Sequence, residues 1–154
     1  MKAKCKINWM LLLLLTVFTV FGQSVKAQQT STEPQIIKGD ANAGELNSAS
    51  LDYLVNEHQS TGERFFVIAR LGRGETARAL NQKRLQAARY FLLEMKRLGK
   101  EQIVFAEGEP IAGEGRIEFY LGSHLKLVSL AKRGKNVSLI CCVGDAVPPR
   151  KIKK

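Results

Sequence analysis

The chain has 154 residues, 45% of them hydrophobic, with 24 Lys and Arg against 14 Asp and Glu for a formal charge of +10. That length leaves room for a single domain, and three cysteines, one of them Cys5, exclude a disulfide framework. So basic a chain suits an anionic partner.

The N-terminus has the pattern of a leader. Lys2, Lys4 and Lys6 precede an apolar run over 10–22, shorter than the roughly 20 residues a membrane span needs. Val25-Lys26-Ala27 then offers small residues at the −3 and −1 positions, so 1–27 is expected to be a secretory signal peptide cleaved after Ala27. Cleavage is expected to leave no transmembrane span and an exported protein. It also removes Lys2, Lys4, Lys6 and Lys26 and no acid, so +10 falls to +6. Export argues against nucleic acid as the partner and leaves a cell-wall or other anionic envelope component, or a protein.

Residues 28–47 are rich in Gln, Ser, Thr, Asn and Gly. They are expected to be a flexible linker, with a short edge strand at Ile36-Ile37. A first helix follows at 48–58, with Leu51, Leu54, Val55 and His58 on one face. Arg64 to Arg70 gives a strand whose continuous apolar middle suits a central position or burial on both faces. A second, longer helix is predicted over 75–98, stopped by Gly99. Its stripe of Leu80, Ala88, Phe91, Met95 and Leu98 also contains Arg84. A short β-rich run spans 102–106, and an amphipathic strand over 116–121 turns Ile117, Phe119 and Leu121 one way and Glu118 and Tyr120 the other. Residues 125–130 and 137–143 suggest an appended hairpin about a Lys-Arg-Gly-Lys turn at 132–135, followed by a basic tail. The fold class expected is α+β: a two-layer sandwich with a β-α-β core and helices on one face of a small sheet.

Catalytic signals are sparse. His58 and His124 have no Cys, Asp or Glu at ligand spacing, so no metal site or cofactor is expected. Glu107, Glu109 and Glu114 share a glycine-rich loop, which a solvated surface explains. Cys141 and Cys142 are too close for ordinary disulfide geometry.

Leu80-Asn81-Gln82-Lys83-Arg84 and the following Tyr90-Phe91-Leu92 resemble the helix signature of OmpA-like domains, the peptidoglycan-binding modules of Gram-negative envelopes. Ala106-Glu107-Gly108-Glu109-Pro110 resembles their Gly-x-Gly-Glu-x-x-Pro loop, and Gly115-Arg116-Ile117-Glu118 their closing strand. The resemblance covers about 48–122, leaving 123–154 as an extension. It implies an α+β fold, no catalysis, and a ligand-gripping role for Arg84. In the family an aspartate at the end of the first strand shares that grip. Here the strand ends Ala69-Arg70-Leu71 instead. Two roles for Arg84 follow. It is the centre of an anion site with Arg70, Arg73 and Arg116, or it pairs internally with Glu75 or Glu118 in a structural or protein-interaction domain that has lost peptidoglycan binding.

Overall fold

A computed structural model describes residues 33–40 and 42–140. The expected leader, the Cys141-Cys142 pair and the basic tail lie outside these residues.

The fold is α+β. Strand β1 (Gln35–Ile37) leads into helix α1 (Ala43–Thr61), then strand β2 (Phe65–Arg70) and helix α2 (Arg78–Arg89). Strands β3 (Ile103–Glu107), β4 (Arg116–Leu121) and β5 (His124–Leu130) complete a five-stranded mixed sheet of order β1-β5-β4-β2-β3. β2 and β3 are parallel neighbours joined through α2, β4 is antiparallel to both β2 and β5, and β1 is parallel to β5. Among the described residues no helix is long and apolar enough to cross a membrane.

Strand alternation decides which residues meet the helices. Phe65, Val67 and Ala69 of β2, Ile117, Phe119 and Leu121 of β4, and Leu127 of β5 are buried with Leu51, Leu54, Val55, Leu85, Ala88, Phe91 and Leu92 from the helical layer. The apolar alternation of β4 and the buried face of α1 therefore match the sequence pattern.

Both ends of the domain differ from expectation. α1 begins five residues ahead of the expected start at 48, where Gly44 lets its first turn press against the chain at Ser138 and Ile140 with no room for a Cβ. β1 is the edge strand expected at Ile36-Ile37 within the linker, and β5 comes from the expected extension, so the sheet crosses both predicted boundaries. The hairpin is β4–β5, closed through Gly122-Ser123 with a bulge at Phe119/Tyr120; of the expected partner strand 137–143 the structure describes 137–140, which do not pair with 125–130. A two-residue connection makes the local pairing the easier one to close. Residues 137–140 form no strand, and Val137 and Leu139 instead bury their side chains in the core.

The predicted 75–98 helix is shorter and changes pitch. α2 ends at Arg89 and continues as a π-helical turn (Tyr90–Met95) with Lys96 N–H bonded to the Phe91 carbonyl at 3.0 Å. One extra residue in a turn rotates everything beyond it around the axis. Met95 consequently leaves the apolar stripe and is 44% exposed, whereas Leu92 is fully buried. The helix is stopped at Arg97, not at Gly99: Arg97 is the one non-glycine residue with positive φ (57°) among the described residues, and Leu98 N–H reaches back to the Leu92 carbonyl at 3.0 Å. A side chain in the left-handed region costs about 1–2 kcal/mol. Arg97→Gly should therefore raise stability by about 1 kcal/mol, measured as an increased urea midpoint with an unchanged slope.

Candidate functional site

The site centres on Arg84, whose side chain is fully buried. Helical spacing from Leu80 and Ala88 points it into the layer between α2 and the loops that follow β2 and β5. There Nη1 donates to Glu75 Oε2 at 2.9 Å and to the Arg70 carbonyl at 3.0 Å. Nη2 donates to Glu75 Oε1 at 2.8 Å and to the Lys135 carbonyl at 3.1 Å. Nε has no acceptor among the described residues. The Glu75 side chain is 3% exposed. Its remaining lone pairs accept the backbone N–H of Gly72 at 2.8 Å and of Gly134 at 2.9 Å. Fork-to-fork pairing with amide donors is the strongest way to hold such a pair out of water.

Two glycines make room for it. A Cβ on Gly115 would collide with the Glu75 carboxylate and the Arg84 guanidinium, and one on Gly72 would collide with the backbone of Gly115. Glu75, expected in the first turn of the helix, lies ahead of it. α2 starts at Arg78 without a side-chain cap or an acidic residue in its first turn.

Burial pushes the Glu75 carboxyl up. The Arg84 guanidinium and the amides of Gly72 and Gly134 outweigh that and hold it down at about 2, against an ordinary 4.5.

The four arginines do not converge. Arg70 is at an outward position of β2, directly across from Arg116 on β4, so both side chains lie on the sheet face opposite the helices. They meet at Glu118, the missed partner on that face. Arg70 Nε donates to Oε2 at 2.9 Å, Arg116 Nε to Oε1 at 2.7 Å, and the Tyr120 hydroxyl to Oε2 at 2.9 Å. Glu118 is only 2% exposed. Burial raises its carboxyl, but bonds from Arg70, Tyr120 and Arg116 hold it below its ordinary value. Arg73 is exposed on the loop after β2. Of the two glutamates the sequence offered to Arg84, Glu75 takes it and Glu118 serves the other face. The backbone partners Gly134 and Lys135 carry no sequence signal.

Beside the buried pair lies an open cleft of about 350 Å³, lined by Thr76, Ala77, Leu80, Lys83 and Arg133 among others. The remaining candidates are structural or solvated. His58 is buried, with Nδ1 2.5 Å from the Glu63 carbonyl and its ring against Phe65. Glu107 pairs with Arg78 at 3.1 Å, while Glu109 and Glu114 are exposed. Among the described residues no three His, Cys, Asp or Glu side chains could hold a metal. No family model, curated protein or solved structure matches this chain.

Removing one partner of a buried ion pair strands the other, a loss of about 3–5 kcal/mol. Arg84→Ala and Glu75→Ala should each lose about that much in urea unfolding, and Glu75→Leu/Arg84→Met should lose less than the sum of the two. The pair also sets an acid limb. Because Glu75 is held below its unfolded value, its contribution is complete above about pH 4.5 and is lost as pH falls toward 2. Glu75→Gln should flatten the fall in melting temperature over that window.

Proposed function

We propose that this chain is an exported, non-catalytic envelope protein whose degenerate OmpA-like domain is a structural or protein-contact module of the periplasm. The observation that carries this reading is the closed Arg84–Glu75 pair. Its guanidinium is fully buried, and both terminal nitrogens are committed to a carboxylate and to two backbone carbonyls. A ligand carboxylate would have to displace Glu75 from two arginine bonds and two amide bonds, and no compensating acid is at hand. The leader pattern agrees with export.

A second reading, binding of an anionic cell-wall or envelope component, is favoured by the cleft at the start of α2. Lys83 and Arg133 line it, and Glu75, the carboxylate on its wall, is neutralised from within. In that reading Lys83 and Arg133 hold the ligand and Arg84 only shapes the wall.

Pelleting with purified peptidoglycan sacculi separates the two. The protein-contact reading expects the wild type to stay in the supernatant at moderate salt. Wild-type protein that pellets, and stops pelleting as Lys83→Ala/Arg133→Ala, would establish the second reading instead.

A further inference from the structure

The sheet face turned away from the helices has no second layer among the described residues. Its registered rows are mostly apolar. Ile36, Val128, Glu118, Ile68 and Ala106 lie side by side across all five strands, with Val128 and Glu118 already buried by their neighbours, and Tyr120, Phe66 and Val104 form the next row. Ile36 at one margin is 61% exposed and Val104 at the other 38%. A sheet with one wet face ordinarily alternates apolar-in and polar-out. β2 does not, since Phe66 and Ile68 repeat on the open side what Phe65 and Val67 do on the closed side.

Beyond these rows the face is charged in an unbalanced way. Arg70 and Arg116 stand directly opposite each other on adjacent strands, two cations sharing the single carboxylate of Glu118. Their inward nitrogens serve Glu118, and their side chains remain 23% and 33% exposed. Next to them Arg70 Nη1 reaches the Glu109 carbonyl at 3.4 Å, and the Glu109 side chain is exposed without a partner among the described residues. A surplus guanidinium and an unpaired carboxylate therefore adjoin each other at one end of the face.

We infer that this open face is the contact surface of a homodimer, in which a second copy packs sheet to sheet and its Glu109 answers the surplus charge of Arg70 and Arg116. The inference rests on the reading of the domain as a protein-contact module. A two-fold contact must be self-complementary, and a surface carrying both signs beside apolar rows meets that condition where a purely basic one would not. The chain's own C-terminal segment is the poorer occupant, because it offers only Asp145 among Arg150, Lys151, Lys153 and Lys154, whereas a second copy offers one Glu109 for each surplus guanidinium. Five strands about 4.8 Å apart and some six residues long give roughly 450 Å² of flat area a copy. Two copies bury about 900 Å², below the roughly 1,200 Å² of stable specific interfaces, so the dimer is a weak, transient one.

Sedimentation velocity of the leader-free chain (28–154) at physiological ionic strength tests this. Screening within about 8 Å there confines the repulsion between two basic copies. The wild type should sediment as a concentration-dependent dimer. Ile36→Lys/Val104→Lys and, separately, Glu109→Lys should each weaken it by at least about tenfold without changing the melting temperature, since all three positions are exposed. Tyr53→Lys, on the exposed side of α1, should leave it intact. A single-copy mass up to sub-millimolar concentration overturns the inference, as does a dimer broken by Tyr53→Lys and indifferent to Ile36→Lys/Val104→Lys. Sacculus pelleting judges the underlying reading separately, because a monomer that ignores sacculi refutes the dimer alone.

Discussion

The pairing of Arg84 with Glu75 is the constraint on which the rest of this domain depends. It is the place where three segments distant in the chain touch: the interior of α2, the loop that leaves β2, and the turn at 132–135 that follows β5. Desolvating two ions consumes most of what their attraction returns, so the pair adds little net stability over a hydrophobic plug of the same shape. What it contributes is position. Four donors aimed at one carboxylate fix the loop and the turn against the helix start in a way that apolar side chains, which pack in many orientations, would leave degenerate.

The sheet carries a second ionic cluster on its other face, and the two are built by opposite means. Glu75 is buried by backbone, with amides from two loops closing over it. Glu118 is buried by side chains, with Arg70, Arg116 and Tyr120 folded down on it from neighbouring positions of the same sheet. The first arrangement is sealed inside the domain. In the second, the side chains that cover the acid are themselves half-buried, with outward nitrogens left to meet another molecule.

Legibility in the sequence followed from the range of the interactions involved. The alternation Ile117, Phe119, Leu121 and the α1 face of Leu51, Leu54, Val55 and His58 were readable because period and burial are local properties. The anomaly of Arg84 was readable too, along with the short list of its partners. The choice between Glu75 and Glu118 was half readable, since the alternation of β4 already turned Glu118 away from the helices; the Gly72 and Gly134 amides that complete the Glu75 site were not. The first turn of α1 was hidden by its polar, glycine-containing composition, which passes for a linker until Gly44 is seen against Ser138 and Ile140. The π-helical turn was equally hidden. Met95 and Leu92 satisfy a helical stripe equally well on paper, and the extra residue that selects Leu92 shows only in the backbone bonds.

β1 deserves a last consideration for what it implies about time and not space. Its three residues pair in parallel with β5, setting Gln35 beside Leu127, so the first strand of the sheet finds its partner only after nearly all the intervening chain exists. Closing so long a loop is entropically slow, and sheets made of such distant contacts fold late. A chain with this connectivity cannot finish its sheet while it is still being made. The sheet closes only once β5 has been delivered, and only then can the two ends of the domain lock together.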